Sequence, residues 1–113
     1  MQLANLASRL TTNHPIGKRL KQARLAAGWS QAQLVILAGI DPSVASARIN
    51  QYERQRHQPA FEVVRRLARV LKKPAPYFYA TDEALAELIE LYGRLNASDR
   101  AAVLAVARKR DTE

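Results

Sequence analysis

The sequence predicts an all-α chain, and three observations carry that expectation. Residues with high helix propensity, Ala, Leu, Arg, Gln and Glu, dominate its composition. Apolar positions recur three and four residues apart, and β-branched residues seldom alternate with polar ones. Stop and start signals at Gly28, Gly39, Asp41-Pro42 and Pro74 with Pro76 cut the chain into helix-sized pieces. The expected architecture is an arm or weak helix over 1–13, a five-helix domain over 14–80, and a C-terminal helical hairpin over 81–113.

Taken in order, Leu3, Leu6, Ala7 and Leu10 share a helical spacing, but Thr11 to Pro15 break it. A first firm helix is predicted from Pro15, with Ile16, Leu20, Ala23 and Ala27 inward, Lys18, Arg19 and Lys21 outward, and Gly28 as its stop. Ser30 is placed to cap a second helix running through Leu34, Val35, Leu37 and Ala38 to Gly39. Asp41 followed by Pro42 predicts a third helix reaching Glu53 or Arg54, because the Asp oxygen accepts free N–H groups and proline fits the first turn. Arg56, His57, Gln58 and Pro59 then read as a basic loop. Phe61, Val64, Leu67, Ala68 and Leu71 mark a fourth helix, and Tyr77 and Phe78 a helical turn lidding the core. Thr81 and Asp82 open the next helix, with Leu85, Leu88, Ile89, Tyr92 and Leu95 on one stripe, and Ser98 is the expected cap of a last one ending near Arg108. Trp29, Val35, Phe61, Tyr77, Phe78 and Tyr79 are assigned to packing, since helical spacing explains them better than base stacking does.

With 113 residues the chain has room for one modest core, and its 48% hydrophobic and 25% charged content is that of a globular protein. It has no cysteine, and two histidines, His14 and His57, do not make a metal site, so neither metal nor cofactor is expected. There is no signal-peptide pattern and no apolar run of bilayer-spanning length, which predicts a cytoplasmic protein without membrane contact. Catalysis is not expected, because neither an activated nucleophile nor a paired acid and base nor a glycine-rich phosphate loop is visible. Asp82, Glu83, Glu87 and Glu90 fall at helical spacing and read as a solvated face.

The net charge of +8 is unevenly distributed. From His14 to Lys73 twelve Lys and Arg residues face three acids, whereas from Thr81 to Glu113 five basic residues face seven acidic ones. The middle segment therefore carries a field that attracts a polyanion, although scattered cations also serve plain solubility. Within it, two short helices joined by a glycine turn have the geometry needed to enter a major groove. On the third helix Ala45, Ile49 and Tyr52 cluster toward the core, leaving Ser43, Ala47, Asn50, Gln51 and Arg54 opposite. Asn and Gln bond bidentately to adenine and Arg to guanine, Ser bonds bases or phosphate, and an Ala methyl meets the thymine methyl. The same face would also suit an ordinary solvated helix.

From Ile16 to Tyr79 the sequence resembles the phage-repressor or Cro-type helix-turn-helix proteins, the XRE family. The resemblance is carried by Ile16-Gly17-Lys18-Arg19-Leu20, Arg24, Gly28-Trp29-Ser30-Gln31, Leu34, Ala38-Gly39-Ile40, Ile49, Tyr52-Glu53, Pro59, Leu67-Ala68 and Leu71. It implies a repressor-like domain of five helices in which Gln31 meets the phosphate backbone, the third helix reads bases, and Arg24 pairs with Glu53. Expected backbone contacts are Ser30, Gln31, Arg48, Arg56 and Lys18, and expected base contacts are Ser43, Ala47, Asn50, Gln51 and Arg54. The segment Ile40 to Ile49 is about four residues longer than the family pattern, which predicts an extra N-terminal turn on the third helix over Asp41 to Val44.

Ala101 to Ala107 is an uninterrupted apolar run, so a helix there is apolar on every side. Packing on Leu85, Leu88, Ile89 and Tyr92 is expected to cover half, and a second copy the rest through Val103, Leu104 and Val106. The function these readings predict is a sequence-specific regulator of transcription, a repressor rather than an activator, binding double-stranded DNA as a homodimer on a palindromic operator. An antitoxin that binds DNA and a partner protein, and a helical scaffold without DNA binding, are the alternatives.

Overall fold

The computed structural model describes residues 14–113, apart from the side chains of Pro42, Val44, Ala45 and Ser46. The expected arm over 1–13 and the inward assignment of Ala45 lie outside the described residues. Among those described, all regular structure is helical: α1 (Ile16–Ala27), α2 (Gln31–Leu37), α3 (Pro42–Glu53), α4 (Phe61–Leu71), a 3-10 turn (Ala75–Tyr79), α5 (Glu83–Arg94) and α6 (Ala97–Asp111).

Local chemistry sets the ends of these helices. Gly28, at φ 77°, closes α1 in the left-handed conformation that glycine adopts without a Cβ penalty. Its N–H donates to the Leu25 carbonyl and that of Trp29 to the Arg24 carbonyl, satisfying the last turn. Ser30 and Gln33 form a reciprocal capping box on α2: Ser30 Oγ accepts from the Gln33 N–H at 3.1 Å, and Gln33 Oε1 accepts from the Ser30 N–H at 2.9 Å. Asp41 caps α3 by accepting from the Ser43 N–H at 3.0 Å, with Pro42 in the first turn. The segment from Pro42 to Val44 is therefore part of α3, whose helical span begins at Pro42.

Ile49 and Tyr52 of α3, Leu20 and Ala23 of α1, Leu34 and Val35 of α2, and Val64, Leu67, Ala68 and Leu71 of α4 meet in one core, closed by Tyr77 and Phe78 of the 3-10 turn. Gly17 permits the close crossing of α1 on the end of α3: a Cβ there would stand 2.5 Å from the Tyr52 carbonyl oxygen and 2.8 Å from that of Glu53.

Several expectations are corrected. Arg19 is not outward but 1% exposed, because position 19 lies on the same face as Ile16, Leu20 and Ala23. Its charge is satisfied by the Ala80 carbonyl (3.2 Å), Gln22 Oε1 (3.1 Å) and Glu83 Oε2 (2.9 Å), with the guanidinium over the Tyr77 ring. Ala27, the last residue of α1, is exposed. Phe61, at the start of α4, and Tyr79, at the end of the 3-10 turn, are exposed and meet each other with ring centroids 6.4 Å apart. Trp29 is half-buried at the rim of the core.

The cap of α6 is Asn96, whose Oδ1 accepts the Asp99 N–H at 2.8 Å, so Ser98 sits inside the helix. Asn is as good a cap as Ser and stands directly after Leu95, where the backbone is already extended. Packing on α5 does not cover half of α6 either: no α6 residue is buried, and Leu85, Leu88 and Tyr92 of α5 stay exposed beside Leu104 and Val106. The α5 face turned to the domain is mostly small and ionic, with Ile89 half-buried against the core. Ala86 is buried there, Glu83 bonds Lys18 and Arg19, and Glu90 bonds Lys73 and Arg94.

Candidate nucleic-acid interface

The two helices α2 and α3 are joined by a short turn in which Gly39, at φ 68°, takes the left-handed conformation. This turn fixes α3 across the surface with Ile49 and Tyr52 inward and the opposite side free. Ser43, Ala47, Asn50, Gln51 and Arg54 are all exposed, and Arg48 is half-buried at the edge of the same face.

The face is held by an ion pair below it. Arg24 Nε donates to Glu53 Oε2 at 2.6 Å and Arg24 Nη2 to Glu53 Oε1 at 2.9 Å, a bidentate arrangement, while Nη1 donates to the Trp29 carbonyl at 2.9 Å. The hydrogen bonds that Arg24 donates to Glu53, together with the negative charge of Glu53, raise the Arg24 pKa above the usual arginine value against the opposing effect of burial. Gln31, at the start of α2, reaches over this pair: its Nε2 donates to Glu53 Oε1 at 3.2 Å and lies 3.4 Å from Asn50 Oδ1. The side chains Arg24, Glu53, Gln31 and Asn50 thus form a continuous polar chain from the inside of α1 to the outer face of α3. Of the residues expected at the site, Gln31 and Asn50 are brought together in this way.

The remaining expected residues are more dispersed. Arg54 and Arg56 are exposed where α3 ends; Gln55 at φ 60° turns the chain, and the Arg56 N–H donates to the Gln51 carbonyl. His57 is exposed beside them, its ring edge-on to Tyr52 at 5.9 Å. Ser30 uses its oxygen as a capping acceptor, which leaves its hydroxyl proton free to donate. Lys18 is committed elsewhere, paired with Glu83 at 2.6 Å. With Lys18 and Arg19 both bonded to it, the Glu83 carboxyl is held at a pKa of about 2. Asp41, for which no role was expected beyond capping, is exposed at the tip of α3; the Ser43 N–H and hydroxyl both donate to its Oδ1 at 3.0 Å and hold its pKa below the ordinary carboxylate value.

Residues 15–76, more than half of the chain, match a family described as helix-turn-helix domain. The chain belongs to the helix-turn-helix domain family. A solved structure, described as a crystal structure of the transcriptional regulator BswR, is 43% identical to this helix-turn-helix protein, with a TM-score of 0.73. The likeness covers 82% of this chain and 92% of that one, and so extends past the 15–76 segment. No curated protein matches the chain. Among the described residues no helix is long and apolar enough to cross a membrane.

Proposed function

We propose that this helix-turn-helix protein is a DNA-binding transcriptional regulator that works as a repressor, seated as a homodimer on a palindromic operator in the cytoplasm. The observation that carries the reading is the outward face of α3, where Ala47, Asn50, Gln51 and Arg54 stand exposed on the most basic segment of the chain. In a helix-turn-helix the second helix enters the major groove and its side chains meet base edges. Asn50 and Gln51 supply paired donors and acceptors for adenine, Arg54 a fork for guanine, and Ala47 a methyl surface for thymine. Ser30, Gln31, Arg48 and Arg56 supply donors for phosphate, and their cations release counterions on binding, so affinity falls steeply with salt. Lys18 is the weakest of the phosphate candidates, because it is already paired with Glu83.

Support for the dimer comes from α5 and α6. A 15-residue helix without a buried residue gains little from its own domain, and isolated helices of that length are marginal in water. Leu85, Leu88 and Tyr92 on α5, with Leu104 and Val106 on α6, leave an apolar surface for a second copy. Ile89 and Val103 join it along a groove of about 780 Å³ between the 3-10 turn and the two C-terminal helices. A two-fold pair would present two α3 helices to half-sites roughly 34 Å apart.

Selection of bound DNA from a random pool tests the reading. A selected sequence with two inverted halves is expected, and Asn50→Ala or Gln51→Ala is expected to change the preferred bases at a cost of about 1 to 3 kcal/mol on the best site. Arg56→Ala should weaken all sequences alike and flatten the salt slope. Equal loss on selected and random DNA for both kinds of variant would refute the division between base and phosphate contacts.

A further inference from the structure

The extra turn that opens α3 ends in an anion placed where a DNA-binding surface is otherwise cationic. Between His14 and Lys73 there are three acidic residues, Asp41, Glu53 and Glu62. Glu53 is neutralised by Arg24 and Glu62 by Arg65, whereas among the described residues Asp41 has no ion-pair partner. Both hydrogens that Ser43 offers, from its backbone N–H and its hydroxyl, go to one oxygen of Asp41, Oδ1. Among the described residues the second carboxylate oxygen has no partner, and Ser43, its proton spent, keeps only acceptor lone pairs. The two described polar side chains at the tip of α3, Asp41 and Ser43, therefore offer acceptors, unlike Asn50, Gln51 and Arg54 further along, which all carry donors.

The Asp41 carboxylate at that tip has no favourable contact with a phosphate. In the major groove its partner is an exocyclic amino group, and the pairing that suits a carboxylate is the N4 amine of cytosine; guanine presents acceptors there, and thymine an acceptor and a methyl. We propose, resting on the DNA-binding reading above, that Asp41 is a specificity-determining residue that accepts from a cytosine N4 amine at one position of each half-site, with Ser43 as the group that orients it. This differs from the donor-or-acceptor role first given to Ser43: the hydroxyl turned to Asp41 does not donate to DNA. The carboxylate also lowers affinity for sequences without that amine, so the residue acts by excluding wrong sites as much as by holding the right one.

Parallel selection from a random DNA pool with the wild type, Asp41→Asn and Ser43→Ala tests this. Asparagine caps a helix as well as aspartate does, so α3 is preserved in Asp41→Asn, and a thermal midpoint matching the wild type serves as the control. The wild type is expected to prefer cytosine at one position by about five- to a hundredfold, the equivalent of one base-edge contact. Asp41→Asn should lose that preference, shift it toward adenine, and bind random DNA about two- to fivefold more tightly through loss of the repulsive charge. Ser43→Ala should keep cytosine at the position but with a weaker preference, since the carboxylate remains and loses one of the two bonds that orient it; an undiminished preference would overturn the part given to Ser43. Identical preferences for the wild type and Asp41→Asn, or a base other than cytosine at the position that responds, would overturn the assignment while leaving DNA binding intact. A wild type that selects no sequence at any salt concentration would instead remove the parent reading.

Discussion

Replacing Glu53 by alanine should cost far more than the removal of an ordinary surface carboxylate. The Glu53 side chain is 3% exposed and that of Arg24 11%, and three of the bonds around them, two from Arg24 and one from Gln31, end on the two Glu53 oxygens. In Glu53→Ala the guanidinium keeps one bond, to the Trp29 carbonyl, and is otherwise left uncompensated beneath α3. Stranding a buried charge costs about 3 to 5 kcal/mol, set against a total stability of about 5 to 15 kcal/mol for a domain of this kind. Urea denaturation followed by circular dichroism should therefore show a midpoint lowered by a large fraction of its value at unchanged slope. The double variant Arg24→Met with Glu53→Leu, which replaces the pair by apolar groups of similar volume, should recover most of the loss, because the desolvation penalty of both ions disappears with them. A loss under about 1 kcal/mol for Glu53→Ala, the worth of an exposed pair, would refute the placement of this pair as an internal brace.

Three further outcomes are expected. Gly17→Ala should destabilise by about 1 to 3 kcal/mol, since its Cβ would meet two backbone carbonyls of α3 that cannot turn aside, even though alanine is the better helix former by about 1 kcal/mol; a gain in thermal midpoint would contradict the crossing. Glu83 has a folded-state pKa of about 2 against an ordinary 4.5, so its contribution is complete above about pH 4.5 and is lost as the pH falls toward 2. Stability measured against pH should accordingly drop in that acid window, and Glu83→Gln should flatten the drop; an unchanged acid limb would refute the clamp on Lys18 and Arg19. Leu88→Asp or Leu104→Asp should convert the proposed dimer into a folded monomer in light scattering at micromolar concentration, and a wild type that is itself monomeric at high micromolar concentration would end the dimer proposal.

The positions of α1 to α4 were legible because their ends are written locally. Gly28 and Gly39 stop helices by their own φ angles, and Ser30 and Asp41 start them with their own side chains, so no knowledge of distant residues is needed. The start of α3 at Asp41 and Pro42 could be read for the same reason. What escaped reading depended on partners far along the chain. Arg19 looks like a surface cation until Ala80 and Glu83, 61 and 64 residues later, supply the acceptors that let it be buried. Phe61 fits the apolar period of α4, yet its place at the first residue of that helix puts it at the edge of the core, against Tyr79 alone among aromatic rings. The apolar run of α6 announces that something must cover it, but composition carries no information on which surface does so. At the candidate interface the exposed side of α3 followed from the positions of Ile49 and Tyr52, whereas the link from Glu53 through Gln31 to Asn50 spans 22 residues and has no signature in spacing.

That link bears on why an ion pair, rather than two apolar side chains, joins α1 to α3. As a brace the pair is replaceable, since apolar residues of the same volume hold two helices together at equal or lower free energy. As a support for Gln31 it is not. Leucine at position 53 offers no acceptor, and the Gln31 amide would then have Asn50 as its one side-chain neighbour in place of two. Without the anchor at Glu53 the Gln31 side chain regains rotamer freedom, which costs roughly 1.5 to 2 kcal/mol to remove again when a ligand is bound. Asn50 then faces a Gln31 amide that is no longer held in place, and a base-reading amide works only when its donor and acceptor are presented in one order. The apolar double variant is therefore expected to separate the two duties: a domain about as stable as the wild type, carrying an α3 surface that is no longer pre-set.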